Sequence, residues 1–272
     1  MPNPQTALKP FSAVIVTGGS SGIGKSFISL LANIRPELSF CNLSRRKPDM
    51  EVAQLKLRHI PCDLSKPQQI EAALAGVADF LERGAPGGRI LLINNSGFGL
   101  YGCFPAPGVQ QQAEMVDVNV RALVHLTGAL LPAIRERGGL VMNIASSAAF
   151  QPTPYLGVYG ATKAFVLHWS VALNEELRGT GVRCMAVCPG PTSTEFFARA
   201  GLEKRTATGR FGQTSDQVVM EALRAMAADR SLVVTGWSNK LAAALATPMP
   251  KRLVAWVAGR VIARYRMSRI GR

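Results

Sequence analysis

A tyrosine and a lysine four residues apart, Tyr159 and Lys163 in the stretch Tyr-Gly-Ala-Thr-Lys, open a helical pattern that runs to about Arg178. That spacing is one helical turn, so an ammonium sits near a phenol on one helix face. A phenol titrating near ~10 is a poor acid–base group at neutral pH, and a fixed positive charge nearby favours phenolate and lowers that pKa. Ser146 lies thirteen residues upstream of Tyr159, at the end of the apolar run Leu140 to Ser146, which reads as a buried strand. A hydroxyl at a strand end and a Tyr/Lys pair on the next helix can converge on one carbonyl oxygen. The plain alternative for the pair alone is two polar side chains on a solvated helix face.

A second group of residues has the pattern of a phosphate site. The β-rich run Ser12 to Thr17 breaks into Gly18, Gly19, Ser20, Ser21, Gly22, Ile23 and Gly24, and a helical pattern follows from Lys25 to Asn33. In a strand–glycine turn–helix unit, glycines let the backbone approach a phosphate, and the helix N-terminus offers free N–H groups and a positive dipole end. The same turn also satisfies the nucleoside triphosphatase pattern, Gly19-x-x-x-x-Gly24-Lys25-Ser26. That chemistry needs a strand ending in Asp to hold magnesium. The candidate strand, Arg89 to Ile93, ends in Asn94-Asn95, so a dinucleotide is the favoured ligand. The strand Leu38 to Leu43 ends in Ser44-Arg45-Arg46 with no Asp or Glu. An acidic residue at that point binds ribose hydroxyls, whereas arginines accommodate a 2′-phosphate, which favours NADP over NAD. The alternative is two solvated arginines in a basic protein. After the third strand, Leu57 to Cys62, come Asp63 and Leu64; Asp63 is positioned either to face the adenine or to cap the next helix.

The remaining elements must place these groups together. Ser65-Lys66-Pro67 opens a helix to about Arg83, with proline in the first turn. A long helical pattern from Val109 to Leu131 is expected to end at Pro132. Asn119 lies inside it, where a side chain that competes for backbone hydrogen bonds signals a bend or a water site. A sixth strand, Val182 to Val187, runs into Cys188-Pro189-Gly190. Pro191 to Gln213 has no periodicity and reads as an active-site lid, followed by a helix from Ser215 to Ala228 and a short strand from Ser231 to Thr235. Strands alternate with helices throughout. The expected fold is therefore α/β, a Rossmann-like doubly wound parallel sheet in a single domain over 1–236, with the site at the strand C-terminal ends.

The bulk composition agrees. Of 272 residues, 47% are hydrophobic and 18% charged, which describes a folded chain. The net charge of +14 calls for an anionic partner such as a phosphorylated cofactor, an acyl-thioester carrier, a membrane surface or nucleic acid. The odd number of cysteines, five, without a CxxC pair reads as reduced thiols in a cytoplasm, and the three histidines have no metal-ligand spacing. Residues 237–272 form a basic helical C-terminal extension: no acidic residue follows Asp229, while Lys240, Lys251, Arg252, Arg260, Arg264, Arg266, Arg269 and Arg272 do. Leu253, Val254, Val257, Val261 and Tyr265 fall on one helical arc beside Trp256. Peripheral contact with a membrane or an acyl carrier is one reading, and packing on the domain or on a second subunit is the other.

Taken in order and spacing, TGGSSGIG (Thr17 to Gly24), Asp63, NNSG (Asn94 to Gly97), Asn119, Ser146, YGATK (Tyr159 to Lys163) and PGPTST (Pro189 to Thr194) resemble the short-chain dehydrogenase/reductase family in its single-domain form. The resemblance spans about Ser12 to Thr235, and NNSG departs slightly from the family's usual NNAG. It implies a catalytic tetrad: Tyr159 as proton donor to a carbonyl oxygen, Ser146 polarising that oxygen, Lys163 tuning the phenol and holding the nicotinamide ribose, and Asn119 holding a water linked to Lys163. It implies NADP(H) contacts at Gly18, Ser20, Ser21, Gly22, Ile23 and Gly24, at Arg45, Arg46, Asp63 and Leu64, at Asn95, Ser96 and Gly97, and at Pro189, Gly190, Thr192 and Thr194. The implied protein is a carbonyl reductase acting on a small-molecule carbonyl or alcohol, with no metal and no nucleic-acid partner. It is expected to be a homodimer or homotetramer paired through the Asn119 and Tyr159 helices. The Phe98-Gly99 continuation and the basic tail are similar to branches that reduce ketoacyl thioesters or apolar ketones. The non-catalytic alternative is an NADP-binding interaction protein.

Overall fold

Central strands with apolar side chains on both faces must be covered by helices on both sides. The protein satisfies that demand with seven parallel strands in the order β3-β2-β1-β4-β5-β6-β7, seen in a computed structural model that describes residues 3–194, 200 and 212–263. They are β1 (Phe11–Thr17), β2 (Ser39–Ser44), β3 (Lys56–Pro61), β4 (Arg89–Asn94), β5 (Gly139–Ile144), β6 (Val182–Cys188) and β7 (Leu232–Val234). β2, β4 and β5 are buried almost throughout, whereas β3 at the edge is half exposed.

The pleat divides the core in two. Val14 and Val16 of β1 face helices α2 (Gly22–Ile34) and α7 (Ser215–Ala227), through Phe27, Ile28, Leu31, Val218 and Leu223. Ala13 and Ile15 face the other way, onto α3 (Pro67–Asp79), α5 (Ala122–Arg137) and α6 (Gly157–Glu176). The strand order reverses beside β1, where β2 lies on one side and β4 on the other, and a crevice opens at that switch point.

Three elements differ from the sequence pattern. Periodicity does not mark α1 (Pro4–Leu8), a single short turn capped by the Asn3 side chain and anchored by fully buried Leu8. Pro132 does not end its helix. Leu126, Leu130 and Ile134, one turn apart and buried against the sheet, hold α5 helical to Arg137 despite the missing N–H. The expected bend at Asn119 is a π-helical turn, Asp117–Arg121, joining α4 (Val109–Val116) to α5. The extra residue of a π-turn re-aims the side chain it carries, and here it turns Asn119 into the interior.

After β7 come two further helices, α8 (Trp237–Ala246) and α9 (Lys251–Ala263). One face of each packs on the domain: Asn239, Ala243 and Ala246 of α8, and Val254 and Ala258 of α9. Residues 264–272 of the basic tail lie outside the described residues.

Candidate active site

The C-terminal ends of the strands border a cleft of about 760 Å³. Of the residues expected to contact a dinucleotide, Gly18, Ser20, Ser21, Gly22 and Ile23 line one end, with Arg45, Arg46, Asp63 and Leu64. Asn95, Ser96, Gly97, Pro189, Gly190, Thr192 and Thr194 line it too, as do Ser146, Tyr159 and Lys163. Gly24 and Asn119 are not in the wall.

Gly24 acts by what it lacks. A Cβ there would lie 2.4 Å from Gly18 O, so only glycine lets α2 start this close to β1. Gly18 takes a φ of +70°, and its N–H donates to Leu43 O at 2.9 Å. Asn95 clamps the turn from β4, its Nδ2 donating to Thr17 O at 3.0 Å and Gly18 O at 3.2 Å. Ser21 precedes the first residue of α2, and its side chain does not cap the helix. The N–H groups of that first turn are therefore left for a ligand in the cleft, which fits a phosphate. Lys25, the residue a triphosphatase would aim at its nucleotide, does not line the cleft.

At the end of β2, Ser44 Oγ accepts from Asn42 Nδ2 at 2.8 Å and donates to Arg46 O at 2.7 Å. This folds the chain so that Arg45 and Arg46, both exposed, border the cleft. Asp63 lines the cleft but does not cap α3, whose N-cap is Lys66; its Oδ1 instead accepts from Ser65 N at 3.0 Å and Ser65 Oγ at 2.8 Å, in the turn that precedes the helix. Burial raises its pKa, but the Ser65 bonds and the charges of Arg45 and Lys66 outweigh burial and leave it lowered.

Ser146, Tyr159 and Lys163 meet at the other end. Ser146 stands just beyond β5 in extended conformation and caps the short 3₁₀ turn Ser147–Phe150, its Oγ accepting from Ala148 N at 3.1 Å. Tyr159 and Lys163 come from the first turns of α6 and are buried. Lys163 Nζ donates to Ile144 O at 2.8 Å. Burial lowers its pKa from 10.5 to about 8, against a smaller raising effect of Cys188. Burial also pushes the Tyr159 phenol up to about 12, opposed by its hydrogen bond with Ser146. The phenol therefore stands above its ordinary value rather than below it as the spacing to Lys163 led one to expect, because burial dominates. Desolvation dominates both groups, and the ammonium is held by a backbone carbonyl.

Asn119 sits behind this pair. Its Nδ2 donates to Phe98 O at 3.0 Å and Thr162 Oγ1 at 3.0 Å, and its Oδ1 accepts from Phe98 N at 3.1 Å. It ties the NNSG loop to α6. Gly97 lies between: a Cβ there would be 3.1 Å from Asn119 Oδ1 and 3.2 Å from Lys163 Nζ. Asn94, the neighbour of Asn95, points the opposite way and joins a buried chain, its Nδ2 donating to Thr127 Oγ1 at 2.9 Å and Asn143 Oδ1 at 2.8 Å, while Asn143 Nδ2 donates to Ser170 Oγ at 2.9 Å.

The base of the expected lid is closed. Ser193 N donates to Gln213 O at 2.9 Å, and Gln213 N to Pro191 O at 3.0 Å. The Gln213 side chain donates to Glu221 at 2.9 Å and accepts from Thr235 Oγ1 at 2.6 Å. Within the lid, 195–199 and 201–211 lie outside the described residues.

Sequence reasoning missed part of the wall. Phe98 and Leu100 line the cleft directly after the NNSG motif, and Leu156 does so from the N-cap of α6, three residues before Tyr159. Gln111, Glu114 and Val118 form a stripe from α4 into the π-turn. The helical spacing of that stripe was the available signal.

The short chain dehydrogenase family matches residues 12–205. Serine 3-dehydrogenase of Rhizobium radiobacter is 35% identical over 191 residues, covering 67% of this chain and 73% of that protein. A short-chain dehydrogenase from Sphingobium yanoikuyae, solved in complex with NADPH, has a TM-score of 0.72 at 26% identity, over 96% of this chain and 99% of that one. The bulky-bulky ketone specific alcohol dehydrogenase from Comamonas testosteroni has a TM-score of 0.68 at 25% identity, over 96% and 98%. The chain belongs to the short chain dehydrogenase family and is an oxidoreductase with that family's Rossmann-like sheet.

Proposed function

We propose that the protein is an NADP(H)-dependent carbonyl reductase or alcohol dehydrogenase that interconverts an apolar ketone or aldehyde with its alcohol. The observation that carries this reading is a single cleft with Ser146, Tyr159 and Lys163 at one end and Arg45 and Arg46 at the other. The two guanidiniums, with no carboxylate at the end of β2, suit a 2′-phosphate. The first turn of α2, which its N-cap residue Ser21 does not cap, suits the pyrophosphate. The NADPH-bound Sphingobium protein supports the same choice.

When bound, the nicotinamide supplies a hydride to the carbonyl carbon or removes one from the carbinol. Tyr159 and Ser146 act on the oxygen. A phenol with a pKa pushed up to about 12 is fully protonated at neutral pH, the form needed to donate to an oxygen that is gaining charge. Ser146, already bonded to that phenol, polarises the carbonyl from the adjacent position. Lys163 holds the nicotinamide ribose and its charge stabilises the phenolate left behind. A water between Asn119 Oδ1 and Lys163 Nζ, the two atoms that converge on Gly97, returns the proton from solvent. Phe98, Leu100 and Leu156 give the substrate end an apolar wall, which supports an apolar carbonyl. The Comamonas ketone-specific enzyme is in keeping with that class.

The protein acts as a homodimer or homotetramer through α4, α5 and α6, where Val116, Val124, Phe165 and Val171 are exposed. Buried Cys41, Cys62, Cys184 and Cys188, all unpaired, support a reducing cytoplasm. The test is fluorescence titration with NADPH and NADH, followed by NADPH oxidation over a panel of ketones that includes ketoacyl thioesters. The reading expects NADPH to bind tighter, and Arg45→Ala with Arg46→Ala to erase that preference. Removing one charge-assisted hydrogen bond costs roughly tenfold or more in affinity. Equal affinity for the two cofactors would overturn the phosphate assignment, and tight binding without turnover would favour the non-catalytic alternative.

A further inference from the structure

The outer faces of the last two described helices are apolar where a solvated helix would be polar. On α8, Trp237, Leu241 and Leu245 recur every four residues and are 74%, 54% and 59% exposed. On α9, Leu253, Trp256, Val257 and Val261 share one face and are exposed, while Val254 and Ala258 on the other face are buried. Met249, in the short connection between the two helices, is exposed as well. Each helix thus has two apolar faces, and the domain covers only one of them.

We propose that these outer faces form a docking surface for an anionic lipid membrane. Charge selects the occupant. From Trp237 to Arg272 the chain carries eight basic residues and no acidic one. Lys251, Arg252 and Arg260 lie on α9 and are exposed, while Lys240 of α8, also exposed, pairs with Glu221 of α7 at 3.3 Å. Arg260 stacks its guanidinium 3.5 Å above the Trp256 ring, so one residue pair offers an indole and a cation together. Exposed tryptophans flanked by lysine and arginine suit the headgroup layer of a bilayer, where apolar area and electrostatic attraction add. A second copy of this chain suits the surface poorly, because a two-fold contact would set the same all-basic patch against itself. Among the described residues no helix is long and apolar enough to cross a membrane, so the contact is peripheral. α9 also lies against the cleft's own framework: a Cβ on Gly259 would be 3.4 Å from Pro154, in the segment between Ser146 and Tyr159. A surface docked through α9 therefore lies beside the element that carries the proposed proton donor.

The experiment is cosedimentation of the full chain with vesicles of phosphatidylcholine alone and of equal parts phosphatidylcholine and phosphatidylglycerol, at low and high salt. The protein is expected to pellet with the anionic vesicles only and to be released by salt. Lys251→Ala with Arg252→Ala removes two charges and lowers partitioning roughly thirtyfold. Trp237→Ser with Trp256→Ser abolishes pelleting and also the blue shift of tryptophan emission. Both double variants change exposed side chains, so thermal unfolding and sedimentation velocity stay as in the parent chain. The proposal is overturned if the chain does not pellet with anionic vesicles, pellets equally with neutral ones, or pellets unchanged in both variants. It is also overturned if the variants reduce the size of the particle in solution, which would assign the face to a second copy. None of these readouts depends on turnover.

Discussion

Lys163 is the most buried cation of the site, and the consequence for stability can be worked out. Its pKa falls from 10.5 to about 8 on folding. Between those values the unfolded chain holds a proton that the folded chain has released, so the unfolded state binds more protons and stability rises with pH. At pH 7 the mismatch amounts to about 3 kcal/mol against the fold, and at pH 9.5 to about 1 kcal/mol. Wild type therefore gains about 2 kcal/mol across that interval from this one group. Tyr159 works in the opposite sense, since its raised pKa removes stability only above the ordinary phenol value, and it adds little at pH 9.5. Lys163→Met keeps the bulk of the side chain without the proton. It should be about 3 kcal/mol more stable than wild type at pH 7, and the advantage should shrink to about 1 kcal/mol at pH 9.5. Urea unfolding of both ligand-free proteins at the two pH values reads this as a double difference, in which all other titrating groups cancel. Parallel pH dependence of the two proteins would refute the assignment of a buried, deprotonation-prone lysine.

Other expectations follow from the same geometry. Tyr159→Phe should retain NADPH affinity and lose roughly a hundredfold to ten-thousandfold in turnover, checked by steady-state kinetics on any ketone the wild type reduces. Gly97→Ala inserts a methyl group 3.1 Å from Asn119 Oδ1 and 3.2 Å from Lys163 Nζ; it should depress kcat more than it depresses the melting temperature. Gly24→Ala meets the backbone of Gly18 at 2.4 Å and should weaken dinucleotide binding together with folding, visible in titration and thermal melts. Asn143→Leu strips partners from Asn94 and Ser170 and should cost about 2–3 kcal/mol in urea unfolding, with cofactor affinity kept in the fraction that folds.

Much of this was legible in the chain because the sheet is parallel and buried on both faces. Its strands read as continuous apolar runs, and the glycine turn, Ser146 and the Tyr159/Lys163 pair fall at their ends. Pro132 misled because a local rule about one missing N–H was set against three buried side chains, Leu126, Leu130 and Ile134, and the packing won. The two protonation states were illegible for a related reason. Spacing places Lys163 near Tyr159, but only the fold shows both groups shut away from water and the ammonium committed to Ile144 O. The Gln111, Glu114 and Val118 stripe escaped notice because nothing local distinguishes a helix face that borders a cleft from one that meets solvent.

The ladder that ties Pro191 and Ser193 to Gln213 has an evolutionary side. Gln213 is itself anchored to Glu221 of α7 and to Thr235 after β7, so both ends of the intervening stretch are fastened to the scaffold independently of what lies between them. Lengthening a loop whose ends are already joined costs only about 0.6 kcal/mol per doubling. The stretch is thus a replaceable cassette: its length and composition can drift, or be grafted from a relative, while the dinucleotide half and the Tyr159 helix keep their positions.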